Sequence, residues 1–133
     1  MTKAKAKRTL TLVEKLMAES SFVLSKAQAF QAMGMGGTAQ TLWLSAASLQ
    51  ERIAPLLDAD GAALEAAVYR MSAASCYEKA DDPSRAVNLY HAALAGPLRQ
   101  ETRKDVEAML AACLARLNTD SSGRKARRVA PAS

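Results

Sequence analysis

The sequence predicts an all-α fold in which five antiparallel helices form a stack of helical hairpins or a small helical bundle. Half of the 133 residues are hydrophobic, yet only 5% are aromatic, because alanine supplies much of the hydrophobic share. Alanine combined with Leu, Glu, Lys, Arg and Gln favours helices. Apolar residues recur at helical spacing in five segments, whereas the alternating apolar runs typical of strands are missing. The length predicts one domain with tails.

The first helix is expected over about residues 11–33. Thr11 and Glu14 have the spacing of a capping box, in which each side chain bonds to the backbone of the other residue. Apolar residues then recur near helical spacing until the segment Met33-Gly34-Met35-Gly36-Gly37. Glycine readily adopts the left-handed conformation that ends many helices, so this segment should form the first turn.

The second helix is expected over about residues 39–57, with Thr38 as its N-cap. Pro55 lies inside the apolar pattern. Because proline lacks a backbone N–H and restricts the preceding residue, it should end or kink the helix near Ala54. The predicted buried stripe consists of Leu42, Ala46, Leu49, Ile53 and Leu56.

The third helix is expected over about residues 64–80, and a short turn connects it to the fourth. Asp82 has the position of an N-cap and Pro83 that of the first helical turn, where a missing N–H costs little. Gly96 should end the fourth helix. The inner stripe of the third helix is predicted to be Leu64, Ala67, Val68, Met71, Ala74 and Ser75, and the apolar face of the fourth Ala86, Leu89, Tyr90, Ala93 and Leu94.

The fifth helix is expected to run to about Asn118. Two starts fit its sequence: Pro97 as the first residue, or Thr102 with Asp105 as a cap after a short loop. Residues 119–133 are rich in Ser, Gly, Arg and Pro and have no apolar periodicity, so this C-terminal tail is predicted to be disordered. The predicted buried stripe of the helix is Val106, Met109, Leu110, Cys113, Leu114 and Leu117.

The formal net charge of +5 comes from the two ends of the chain. The N-terminal tail, residues 1–10, carries four basic residues and no acidic one, and the C-terminal tail carries four basic residues against Asp120. The helical body of residues 11–118 is therefore slightly acidic and offers no strongly basic face. The basic residues of the tails are Lys3, Lys5, Lys7 and Arg8, followed by Arg124, Lys125, Arg127 and Arg128.

Cysteine usage and hydropathy indicate a cytoplasmic protein. Cys76 and Cys113 are widely separated and lie on apolar helix faces, as buried thiols do in a reducing compartment; a disulfide between them is the alternative. No apolar run approaches the roughly 20 residues that a membrane-spanning helix needs.

Residues 67–98 resemble a tetratricopeptide repeat, a helix-turn-helix unit of 34 residues. With Ala67 as the first position of the repeat, five residues match the small and aromatic positions of the family. Arg70 departs from it, because a large apolar residue is usual there, and the terminal proline comes one position early as Pro97. The fifth helix would then close the end of the stack. The five matching residues are Ala74, Tyr77, Ala86, Tyr90 and Ala93.

A second similarity inside the chain has a different period. The segment 44–48 with Glu51 and Arg52 parallels the segment 71–75 with Glu78 and Lys79 at a displacement of 27 positions. An irregular duplication would produce this pattern, and so would chance in an alanine-rich helical sequence.

The family resemblance implies a non-enzymatic adaptor that binds a peptide or a partner helix in a concave groove. Self-association is a further expectation for a short stack that exposes apolar surface. Carried over by position, the groove residues of the third helix would be Val68, Met71, Ser75, Glu78 and Lys79.

Two other classes of function are weighed against the adaptor. The basic tails could bind nucleic acid or another anionic surface, since Lys and Arg neutralise phosphates without reading sequence. A small-molecule pocket between helices could be lined by Trp43 and the tyrosines. No cofactor or catalytic site is expected: His91 is the only histidine, and the glycine-rich turn after the first helix lacks the Lys-Ser/Thr ending of a phosphate-binding loop.

Overall fold

The computed structural model describes the backbone of residues 11–129 and the side chains of residues 11–120. All regular secondary structure in this part of the chain is helical, and each helix packs against the helices that precede and follow it. The predicted all-α fold of five helices is therefore confirmed. The helices are α1 (Leu12–Ala32), α2 (Gly36–Ala59), α3 (Ala63–Lys79), α4 (Pro83–Leu94) and α5 (Gln100–Val129).

Two helix starts follow the predicted capping chemistry. Thr11 precedes α1, and its Oγ1 accepts a hydrogen bond from the Glu14 backbone N–H at 3.1 Å. The Thr11 N–H in turn donates to Glu14 Oε1 at 2.9 Å, which completes the capping box. Asp82 caps α4 by accepting from the backbone N–H of Arg85 at 3.3 Å, and Pro83 is the first residue of that helix. Each side chain satisfies an N–H that would lack an intrahelical partner.

The bounds of α2 differ from the prediction. The helix begins at Gly36 without a side-chain cap, so Thr38 lies inside it, and it continues past Pro55 to Ala59. Proline removes one helical hydrogen bond. Ile53 and Leu57, two residues before and after Pro55, are both buried, and this tertiary packing favours continuation of the helix.

The predicted end of α5 at Asn118 is wrong. The helix starts at Gln100, between the two starts considered, and continues to Val129, so the predicted disorder of residues 119–129 is replaced by helix. Extending a helix that is already nucleated adds one hydrogen bond per residue, and Ala, Arg and Lys favour that extension. The predicted N-terminal tail, residues 1–10, and residues 130–133 lie outside the described residues.

The core is built largely from alanine. The main cluster connects all five helices around Tyr90, and a second cluster surrounds Ile53 between α1, α2 and the start of α3. The five residues that match the repeat all lie in this core, since Ala74, Ala86, Ala93, Tyr77 and Tyr90 are buried.

The inner stripe of α3 was predicted only in part. Leu64 and Val68 were expected to be buried but are 38% and 40% exposed. The α3 backbone is rotated so that Ala66, Ala73 and neighbouring small residues meet the adjacent helices. Alanine contacts allow short distances between helix axes, and the two larger side chains are left at the surface. Leu114, predicted to be buried on α5, is likewise exposed.

Gly96 marks a close approach between the α4–α5 connection and α3. A Cβ added at Gly96 would lie 2.8 Å from the Ala67 Cβ. We expect Gly96→Ala to lower the free energy of unfolding by roughly 1–2 kcal/mol, because the α3 backbone must move to relieve the overlap. Urea denaturation measures this change.

The matched control for Gly96→Ala is Gly37→Ala in α2. Apart from its chain neighbours and the adjacent backbone of its own helix, no atom lies within 4 Å of a Cβ added at Gly37. Alanine should therefore raise the free energy of unfolding by roughly 0.5 kcal/mol through reduced backbone freedom. Equal effects of the two substitutions would show that the contact between Gly96 and Ala67 is not tight.

Candidate functional site

The five residues predicted to line a groove lie on one side of α3, as their spacing of three and four residues requires. We call Val68, Met71, Ser75, Glu78 and Lys79 the α3 face. Its two ends differ. Val68 is exposed beside two hollows, Met71 is half-buried against the main core, and the polar side chains at the C-terminal end are engaged by neighbouring groups.

The C-terminal end of the α3 face is held by local interactions. The Lys79 Nζ donates to Ser75 Oγ at 3.2 Å and lies 5.0 Å from the centroid of the Trp43 ring. The Trp43 indole N–H donates to Gln31 Oε1 at 3.3 Å, so α1, α2 and α3 are linked at this end. Trp43, considered as a lining residue of a small-molecule pocket, is buried in the main core.

Glu78 connects the α3 face to the following two helices. Its carboxylate accepts a hydrogen bond from the Tyr90 hydroxyl of α4 and also interacts with the Cys113 thiol of α5. Burial raises the pKa of the Tyr90 hydroxyl, and the Glu78 carboxylate adds a smaller increase. Glu78 therefore has structural partners on both α4 and α5.

An equivalent contact joins α2 and α3. The Tyr77 hydroxyl of α3 donates to Glu51 Oε1 of α2 at 2.7 Å. Glu51 and Glu78 correspond in the segments that are 27 positions apart, and each accepts from a tyrosine of the next helix. The internal similarity thus extends from sequence to contacts, although a shared helical environment would favour the same pairing.

Both cysteines are buried free thiols. Burial raises the pKa of the Cys76 thiol from its ordinary value of 9.0 to about 11, although the positive charge of Lys79 lowers that pKa by a smaller amount. Burial and the Glu78 carboxylate raise the pKa of the Cys113 thiol to about 11. A protonated thiol is a weak nucleophile, so neither cysteine has the environment of a reactive one at neutral pH.

We expect stability to fall as the pH rises from about 9 to about 11. In this interval the unfolded chain loses its thiol protons while the folded chain retains them, so ionisation favours unfolding. Melting temperatures measured across the interval should decrease. The decrease should be smaller in the double variant Cys76→Ala, Cys113→Ala, and a constant melting temperature in the original sequence would contradict the prediction.

An open hollow of about 460 Å³ lies beside the N-terminal part of α3. Exposed Leu64 and Val68 form one wall, and the α4–α5 connection supplies the other with Leu98. The backbone carbonyls of Leu94, at the end of α4, and of Gly96, in the connection, each accept from the Arg103 guanidinium at 2.8 Å. The complete lining is Leu64, Glu65, Val68, Tyr69, Leu98, Arg99 and Thr102.

A smaller hollow of about 280 Å³ adjoins the first one on the side of α2. It is lined by Gln50, Val68, Tyr69 and Ser72, so Val68 and Tyr69 belong to both hollows. We call the two hollows together the α3 groove. Of its lining residues, the sequence predicted Val68 as a groove residue, and Tyr69 is one of the tyrosines considered for a small-molecule pocket. Spacing within the chain carried no signal for the residues of α2 and α5.

A third hollow, polar in character, lies between α2 and α4. It is lined by Ser48, Glu51, Tyr77, Arg85, Asn88 and Leu89. The Arg85 guanidinium lies 5.5 Å from the Tyr77 ring centroid and 3.5 Å from the Asp82 carboxylate. Tyr77 is therefore enclosed by groups of the protein itself, and the hollow presents few apolar atoms to a ligand.

The other candidate residues are not assembled into a site. His91 is exposed on α4, and among the described side chains no three His, Cys, Asp or Glu residues converge as metal ligands would. Lys3, Lys5, Lys7 and Arg8 lie outside the described residues. Arg124, Lys125, Arg127 and Arg128 fall within the helical span of α5 beyond the described side chains.

Comparisons with models of protein families, with curated proteins and with solved structures found no match to this chain. Within residues 11–129, no helix combines the length and the apolar character that crossing a lipid bilayer requires.

Proposed function

We propose that this protein is a non-enzymatic interaction module, similar in use to a tetratricopeptide-repeat adaptor, that binds a segment of another protein in the α3 groove. The observation that carries the proposal is the exposure of Leu64 and Val68 beside a hollow that also contains Leu98. Concave apolar surface with a few polar groups is the usual character of a binding site.

The groove also has a rigid frame, as a recognition surface requires. Its floor belongs to helices, and Gly96 places the α4–α5 connection directly against Ala67. The Arg70 guanidinium contacts the Asp58 carboxylate at 2.7 Å, which ties α3 to the end of α2. A partner would therefore meet preformed walls and lose little free energy to ordering them.

Replacement of Leu64 by glutamate tests the proposal. A random dodecapeptide library displayed on phage is selected against the full chain, and the enriched peptides are synthesised for fluorescence-polarisation titration. Leu64→Glu should weaken binding by at least about tenfold, because it places a charge in the apolar hollow. Leu44→Glu is the matched control, since Leu44 is also a helical leucine with 38% exposure but lies outside the groove.

The titrations also address the alternative function, binding of nucleic acid or an anionic surface through the basic tails. Affinity for a labelled single-stranded oligonucleotide that falls steeply with salt and is unaffected by Leu64→Glu would favour the tails. Failure to enrich any peptide sensitive to Leu64→Glu would refute the groove proposal. The proposal includes a cytoplasmic location, supported by two buried free thiols, which are usual in a reducing compartment. It needs no cofactor. A second copy of the chain is a further partner to test.

A further inference from the structure

The α3 groove contains a buried hydrogen-bond donor. Gln50 of α2 is only 2% exposed, and its Oε1 accepts from the Cys76 thiol at 3.5 Å. Its amide nitrogen has no acceptor among the described residues. No fully buried side-chain nitrogen or oxygen in the described part lacks a partner, so this nitrogen must be one of the few atoms through which Gln50 meets solvent. Gln50 lines the smaller hollow of the groove, and we infer that its N–H donors face that hollow.

Two charged residues border the larger hollow. Glu65 of α3 and Arg99, just before α5, both line it and both are exposed. The ion pairs found within the described residues involve other side chains. The groove therefore offers an apolar centre, a negative and a positive group at its edge, and an amide donor in the adjoining hollow.

We propose that the segment bound in the α3 groove is an extended peptide, recognised by a backbone carbonyl as well as by an apolar side chain. The apolar side chain fills the larger hollow and a nearby main-chain carbonyl accepts from the Gln50 amide. A basic residue faces Glu65 and an acidic residue faces Arg99. This inference rests on the proposed function and specifies its ligand.

The Gln50 donor distinguishes an extended peptide from a partner helix. Carbonyls inside a helix already accept from the N–H four residues later, whereas those of an extended segment are unpaired. A buried amide donor gains from such an acceptor because leaving it unsatisfied in a dry interface is costly. The two hollows share Val68 and Tyr69, so neighbouring residues of one short peptide can enter both.

Gln50→Met tests the carbonyl contact, because methionine has similar length and no N–H. The probe is the tightest dodecapeptide enriched on the full chain with the original sequence. We expect Gln50→Met to weaken its binding by about fivefold to tenfold, with Leu44→Glu again as control. Glu65→Lys should weaken the binding of peptides that place a basic residue near Glu65. Arg99→Glu should weaken the binding of peptides that place an acidic residue near Arg99.

A scan of the peptide itself keeps the test independent of protein stability. Each main-chain amide is replaced in turn by an ester, whose carbonyl is a weaker acceptor. At one peptide position the ester should weaken binding to the original protein but cause no further weakening of binding to Gln50→Met. That result would show that this peptide carbonyl and Gln50 are coupled. Transferred nuclear Overhauser effects should show an extended bound peptide.

Three outcomes would overturn the inference. Peptides that depend on Leu64 but bind Gln50→Met equally well would leave the interaction module standing without the carbonyl contact. A helical bound peptide would assign the groove to a partner helix. A dimer in sedimentation that dissociates on Leu64→Glu would assign it to a second copy. Failure to enrich any peptide, by contrast, would count against the proposed function itself.

Discussion

Tyr90→Ala is expected to lower the free energy of unfolding by about 3–5 kcal/mol, the range for removing a large aromatic side chain from a core. Tyr90 is fully buried and belongs to the main core. Its hydroxyl bonds to Glu78 of α3 and lies 3.5 Å from the Met109 sulfur of α5. The substitution therefore opens a cavity where three helices meet, and chemical denaturation measures the loss.

Tyr90→Phe separates the ring from the hydroxyl. The phenylalanine variant retains the packing but leaves Glu78 without its tyrosine donor, so we expect a cost of roughly 1–3 kcal/mol. Equal losses for Tyr90→Phe and Tyr90→Ala would mean that the hydroxyl contact, and not the volume of the ring, stabilises this junction.

Ala86→Leu is expected to lower the free energy of unfolding by about 2–3 kcal/mol, near the upper end of the usual cost of overpacking. Ala86 lies on α4 with no exposed surface, so three additional carbon atoms must displace neighbouring helices or adopt an unfavourable rotamer. Thermal and urea denaturation of the purified variant would measure the loss.

Ala92→Leu is the control for Ala86→Leu, because Ala92 lies on the same helix and is exposed. It should change stability by no more than about 0.5 kcal/mol, as surface substitutions usually do. If Ala86→Leu were as stable as Ala92→Leu, alanine would not be acting as a spacer in the close packing of α4.

The starts of α1 and α4 were predicted accurately because their caps are local. Thr11 bonds to Glu14 within one turn, and Asp82 precedes Pro83 directly, so both signals are contained in short stretches of sequence. Continuation of α2 past Pro55 depends on packing, and extension of α5 beyond Asn118 depends on helix propagation. These effects extend over longer segments and outweigh the single-residue signals used to predict an end.

The binding residues illustrate the same division. Val68 was reached through the resemblance to a repeat family, yet Leu64 was assigned to the core because its spacing fitted the inner stripe. Burial of an α3 residue depends on how closely the neighbouring helices approach its two sides. The contact of Gly96 with Ala67 fixes how closely the α4–α5 connection approaches α3 on one side. No pattern of residues within α3 predicts that contact.

The sequence by itself determined that this chain forms five helices, where α1 and α4 begin, and that alanines and tyrosines of α3 and α4 face inward. Those features follow from periodicity, capping and helix propensity, which act between residues close together in the chain. The tertiary structure alone decided the rotation of α3, the exposure of Leu64 and the meeting of Gln50, Val68 and Leu98 around one groove. Those features arise because close contacts between distant alanine and glycine residues fix the spacing of the helices.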